Sequence, residues 1–208
     1  MEEFIMSVDK LQYTGMDTLF EKVDKNNLEH IKRFRKIVDK VWEEQGFEVT
    51  YSQEGEKFIL KDVNGFDVGT FQFSLYKNNK TNECDEIYNF GHLQEIKNNY
   101  GYVIEIDKFA LCEEGRFDNT VRLLYSLYFI AKANKIKYGV ALFNPKLFPL
   151  FKWRRIPYVE FPEHTEDFQG APVTPGYIDF EKMYNNSDKV KGLKEIEAEF
   201  AIKEVVKS

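Results

Sequence analysis

Residues 100–144 read YGYVIEIDKFALCEEGRFDNTVRLLYSLYFIAKANKIKYGVALFN, and the fold turns on how this stretch divides. Val103, Ile104, Ile106 and Phe109 make residues 100–110 a strand. Residues 111–118, with Gly115, form a loop. Residues 119–134 then place Val121, Leu124, Leu127, Tyr128 and Ala131 on one helical face, with further apolar residues beside them. So broad an apolar surface suits a helix packed on a sheet. Residues 138–143 are a second, buried strand. A strand, a helix and a strand in that order require a parallel pair joined by a right-handed crossover.

The flanks fit the same sheet. Asn26 or Asn27 caps a helix in which Leu28, Ile31, Phe34, Val38 and Val41 or Trp42 recur at helical spacing, and Gly46 ends it. Phe47, Val49 and Tyr51 then alternate with polar residues, as a short strand would. Residues 56–63 and 66–76 flank Asn64-Gly65, the signature of a tight type I′ hairpin. Residues 77–86 are polar and read as a loop. Pro145 opens a short helix. Residues 158–161 and 177–180 are two last strands, with a loop of Pro and Gly between them. The expected fold class is α+β: a mixed, largely antiparallel sheet flanked by helices. The expected division is an N-terminal arm (1–27), a main domain (28–180) and a charged, helical tail (181–208).

The chain has 208 residues, 43% hydrophobic and 31% charged, as for a soluble globular protein. A net charge of −6 argues against nucleic-acid binding, which relies on Lys and Arg to neutralise phosphates. No apolar run approaches the length of a transmembrane helix, and residues 1–10 lack the pattern of a secretion signal, so a cytoplasmic location is expected. The two cysteines, Cys84 and Cys112, are expected to be free thiols. Lys146, Lys152, Arg154 and Arg155 form a basic cluster, either a solvated helix face or a docking point for an anion. There is no Walker loop, GxGxxG, GxSxG or metal-ligand spacing, and no resident cofactor or metal is expected.

One place favours an anion. A loop running into a helix N-terminus presents free N–H groups and the positive end of the helix dipole. Gly115 and Arg116 lie in that loop, Asn119 and Thr120 start the helix, and Arg122 follows in its first turn. The competing reading is an ordinary junction capped by Asp118, whose charge disfavours phosphate.

Residues 105–161 resemble the central region of the GNAT superfamily of acyltransferases, and more narrowly the acyl-homoserine-lactone (autoinducer) synthases and N-acyl amino acid synthases. Glu105, Lys108 and Phe109 occupy that family's Glu-x-x-Arg-Phe motif, and Asn144 stands where its second strand ends in a polar residue. Phe34-Arg35, Trp42, Val68-Gly69-Thr70, Gly170, Pro172 and Pro175 extend the resemblance over residues 28–180. Lys108 replaces the family's Arg and lacks its forked contact. Gln72 replaces an Arg, the paired Asp motif is missing, and the Gly-rich loop is reduced to Gly115. These departures argue against homoserine lactone synthesis.

The resemblance implies an N-acyltransferase that moves an acyl group from coenzyme A, or from an acyl carrier protein, to a small amine or amino acid. It implies splayed central strands, with the backbone amides of Lys108, Phe109, Ala110 and Leu111 facing the thioester oxygen. Glu105 is the expected base; the alternative is a structural carboxylate paired with a neighbouring cation. The family's helical Tyr proton donor corresponds to Phe151, so either Tyr158 or a water takes that role or the thiolate leaves unassisted. The aromatic surplus, 16% of residues, favours a medium or long acyl chain. The eroded motifs also admit a non-catalytic acyl-CoA or lipid-binding module. If Arg116 holds a phosphate, Arg116→Ala weakens coenzyme A binding by about 1–3 kcal/mol in calorimetry.

Overall fold

The computed structural model describes residues 19–51, 55–77, 82–113, 116–195 and 198. Eight strands form one continuous sheet: β1 (Phe20–Lys22), β2 (Glu56–Lys61), β3 (Asp67–Leu75), β4 (Val103–Leu111), β5 (Tyr138–Phe143), β6 (Tyr158–Glu160), β7 (Glu166–Phe168) and β8 (Ala171–Asp179). Their order is β1-β2-β3-β4-β5-β8-β6, with β7 paired to β8. Every pair is antiparallel except β4–β5, the parallel pair that the strand–helix–strand reading required.

The connecting helix α3 (Arg116–Ala133) begins earlier than its apolar face suggests. It packs Leu123, Leu124, Leu127, Tyr128 and Ala131 against Ile104, Ile106 and the phenylalanines of β2 and β3. The opposite face of the sheet takes α1 (Leu28–Gln45), whose Phe34, Ile37, Val38 and Val41 pack on Ile59 and Ala110. Burial of each such side chain stabilises by about 1.5–3 kcal/mol. Asn27 is the cap of α1: its Oδ1 accepts from the Glu29 and His30 amides at 3.0 and 3.3 Å. Beside α1, residues 82–102 cover the rest of this face with short helical turns, including α2 (Gln94–Lys97), and bury Cys84, Phe90 and Ile96 against Val103, Val140 and Tyr177.

Several expectations change. Residues 47–51 lie in no strand; the open edge of β2 is held by β1. They cross the end of α1 instead, where the Glu48 amide bonds to the Gln169 carbonyl at 2.6 Å. The β2–β3 turn is wider than a two-residue turn. The Asp62 carboxylate accepts from the Asn64 and Phe66 amides, both at 2.8 Å, and only Gly65 has positive φ. Residues 83–86 form a 3₁₀ turn rather than a loop. The Pro- and Gly-bearing segment after β6 folds into the β7–β8 hairpin, so β8 starts at Ala171. β1 lies within the expected N-terminal arm. The short helix opened by Pro145 continues as α4 (Phe148–Arg154); the tail begins within α5 (Phe180–Asn185), and its residues 196–197 and 199–208 lie outside the described residues. No helix among the described residues is long and apolar enough to cross a membrane.

The tip of the β7–β8 hairpin seats on the end of α1. Gly170 has φ +90°, and a Cβ there would lie 2.5 Å from the Gly46 carbonyl oxygen. Gly170→Ala therefore lifts the hairpin off α1. We expect a loss of about 1–3 kcal/mol in chemical denaturation, against no more than a few tenths for a surface substitution such as Glu163→Ala.

Candidate active site

The β4–β5 ladder is short. It joins Val103, Ile104 and Glu105 to Tyr138, Gly139 and Val140, and then stops. Beyond it β4 follows β3 and β5 follows β8, so the two strands splay. The cause lies in β4. Thr70 faces Ala110 and Gln72 faces Asp107, leaving Lys108 and Phe109 together opposite Phe71. This is a β-bulge, which bends and twists its strand. Lys108 takes φ +49°, costly for a residue with a side chain. Thr70 Oγ1 donates to the Lys108 carbonyl at 3.0 Å, and the Lys108 amide donates to Asp107 Oδ1 at 2.6 Å. Further along, the Cys112 amide bonds to the Val68 carbonyl. Alternation back from Cys112 turns the polar groups of Leu111 and Phe109 away from β3, toward the splay.

The bulge also breaks the alternation of side chains. Glu105 and Asp107 share a face by the period of two, and Lys108 joins them there. Its Nζ is 2.8 Å from Asp107 Oδ2, 3.5 Å from Glu83 Oε2 and 4.3 Å from the centre of the Trp42 ring. Lys108 is fully buried, and neither carboxylate contact is aligned as a hydrogen bond, so it acts as a point charge. Glu105 is buried, and its Oε1 accepts from the Cys84 amide at 2.7 Å. The 3₁₀ turn carrying Cys84 is held by Asn82 and Tyr76, which bond to Asp85 at 2.7 and 2.6 Å.

These charges enclose a cavity of about 100 Å³, walled by Trp42, Phe47, Phe109, Phe143 and Phe168. Gln169, on the β7–β8 turn, closes one side, donating to Glu83 at 2.9 Å and to Thr50 at 3.2 Å. Burial pushes the Glu105 carboxyl up to about 7, opposed by its bonds from Cys84. Burial also raises Asp107, against the pull of Lys108. For Glu83 burial acts upward too, but the Lys108 charge and the Gln169 bond outweigh it and leave the carboxyl below its ordinary value. Burial raises the Cys84 thiol, which stays neutral.

A second, open groove of about 650 Å³ meets this cavity at Phe109, Asn144 and Leu147. It runs between α1, the start of α3 and α4, past Val41, Leu111, Thr120, Lys146 and Trp153. Of the residues expected in the site, Glu105, Lys108, Phe109 and Asn144 line the cavity, and Leu111 and Thr120 line the groove. Ala110 faces α1, and Asn119 is buried at the start of α3. Arg122 lies further into α3 than its expected first-turn place and donates to the Lys61 carbonyl at 2.9 Å. Gly115 and the Arg116 side chain lie outside the described residues. Tyr158 is apart from the cavity, stacked on Phe148 and edge-on to Phe151, both at 5.5 Å. Phe151 is fully buried.

Sequence reading missed Asp107, Glu83, Cys84 and Gln169. Asp107 had a signal, as a second carboxylate two residues from Glu105 in an apolar strand. The others reach the site from a polar segment and a turn, which no local pattern marks.

No protein-family model matches the sequence, and no curated protein matches it. The fold, however, is that of GNAT-like acyltransferases. FeeM, an N-acyl amino acid synthase from uncultured soil microbes, superposes with a TM-score of 0.59 at 17% identity, over 79% of this chain and 92% of its own. BjaI, a CoA-dependent acyl-homoserine lactone synthase solved with SAM and isopentyl-CoA, gives 0.58 at 14% identity, over 85% and 88%. The AHL synthase LasI gives 0.55 at 12%, over 77% and 88%. The family resemblance seen in the sequence thus holds at the level of fold.

The Glu105 shift makes a prediction about stability. A carboxyl raised from 4.5 to about 7 binds its proton more tightly when folded. Its stabilising effect is complete below pH 4.5 and is lost as pH rises through about 7, a difference on the order of 3 kcal/mol. Glu105→Gln should therefore flatten the fall in unfolding free energy between pH 5 and 8, as read by urea denaturation, and raise it most at the alkaline end.

Proposed function

We propose that this protein is an N-acyltransferase that transfers the acyl group of an acyl-CoA to a small amine. The observation carrying this reading is the splay of β4 from β5, with Glu105 at its root. Acyl transfer needs a thioester held beside a base in a dry site, and this opening meets both needs. The groove past Thr120 and Lys146 suits the polar part of the donor, and the gap at Phe109 admits its thioester. The Phe109 and Leu111 amides suit the carbonyl oxygen, where charge grows as the amine attacks. Glu105, poised near neutrality, takes the proton from the amine nitrogen. The C–N bond forms, the C–S bond breaks, and coenzyme A leaves as a thiolate of ordinary acidity, which needs no dedicated acid. Tyr158, packed away from the cavity, has no part in this scheme. Lys146 lines the groove, where a phosphate or an acidic carrier protein would approach, so either donor carrier suits it.

Release of free thiol should be seen with a long-chain acyl-CoA and a panel of primary amines. Glu105→Gln is expected to lower kcat about 100-fold or more while leaving acyl-CoA affinity unchanged in calorimetry. The rate for the unsubstituted protein should rise with pH through about 7, as Glu105 ionises. Tight acyl-CoA binding with no thiol release from any amine would instead mark a binding module.

A further inference from the structure

The cavity beside Glu105 has an uneven charge balance. Three carboxylates line it, Glu83, Glu105 and Asp107, against one cation among the described residues, Lys108. That cation is already ion-paired, 2.8 Å from Asp107 and 3.5 Å from Glu83, though neither contact is aligned as a hydrogen bond. The donors nearby are engaged as well. Gln169 Nε2 serves Glu83 and Thr50, and the Cys84 amide serves Glu105. A substrate carboxylate entering here would compete with two carboxylates for Lys108 and would face Glu105. A substrate ammonium would meet Glu105, whose side chain makes no ion pair with Lys108: that ammonium sits against Asp107, Glu83 and the Trp42 ring.

Wall chemistry points the same way. Apart from its charged groups the cavity is walled by aromatic and aliphatic side chains, among them Phe47, Phe143 and Phe168. Such walls suit a carbon stem and offer no partner to a substrate carboxylate. We infer that the acceptor is a primary amine that carries no carboxylate, docking as an ammonium on Glu105, and not an α-amino acid. The inference rests on the acyltransferase reading above and narrows its acceptor. Glu83 and Asp107 act as specificity residues: they hold Lys108 and so withhold it from any substrate anion.

The experiment compares matched acceptors with dodecanoyl-CoA as donor: phenylalanine with phenethylamine, and lysine with cadaverine. We expect kcat/KM to favour the amine in both pairs by about tenfold or more, the scale of a misplaced like charge. Glu83→Gln, which releases Lys108 from one partner, should shrink that ratio toward one, chiefly by lowering KM for the amino acid. Equal or faster turnover of the amino acids would overturn the inference, as would a ratio that Glu83→Gln does not move. If dodecanoyl-CoA binds and no acceptor is turned over, the acyltransferase reading itself fails, and this one with it.

Discussion

The bulge that sets Lys108 and Phe109 opposite Phe71 is the constraint on which the site depends. It does three things at once. It twists β4 away from β5, so the parallel ladder ends after Glu105. It puts two consecutive side chains, Asp107 and Lys108, on one face, where a regular pleat would send them to opposite faces. It frees a stretch of backbone from the β3 ladder just where the opening begins. The strain of φ +49° at Lys108 is held in place by the Thr70 hydroxyl, the Asp107 carboxylate and the packing of Trp42 over the ammonium.

The rest of the fold supports that opening. β8 holds β5 along its whole length, so β5 cannot follow β4 and close the gap. Across the sheet, α3 fixes β4 through Ile104 and Ile106 without touching the charged face. On the charged face, α1 brings Trp42, the 3₁₀ turn brings Glu83 and Cys84, and the β7–β8 hairpin brings Gln169. Three segments distant in sequence thus converge over the charged face of β4. Gly46 and Gly170 permit the close approach that lets the last of them arrive.

Legibility in the sequence followed the range of the interactions involved. β5 was readable to the residue, because an apolar run between turn signals needs no partner to identify it. The cap, narrowed to Asn26 or Asn27, and the parallel β4–β5 pair were readable because local spacing and chain order decide them. The type of the β2–β3 turn was not, because the Asp62 side chain captures two amides and widens the loop. The strand expected at residues 47–51 failed because alternation reports a half-buried extended chain, not a hydrogen-bonded partner, and β1 had taken the edge. Glu105 and Lys108 stood out only through family resemblance. Their neighbours Glu83 and Gln169 were invisible, since nothing in a polar segment or a hairpin tip states which buried charge it will meet.

The electrostatics of the cavity also bear on the choice between catalysis and passive binding. Burying charged groups destabilises a fold, and a buried ion pair can often be replaced by apolar residues at no loss of stability. A module that only sheltered an acyl chain would be better served by leucine at Glu105 and Asp107, with aromatic walls already in place. Here three carboxylates and an ammonium are instead kept at the root of a strand opening, with one carboxyl raised to about 7. A group held near neutrality exchanges protons readily at physiological pH, which a structural carboxylate has no need to do. The proton transfer proposed for Glu105 would account for both the cost in stability and the placement beside the splay, which a packing requirement would not.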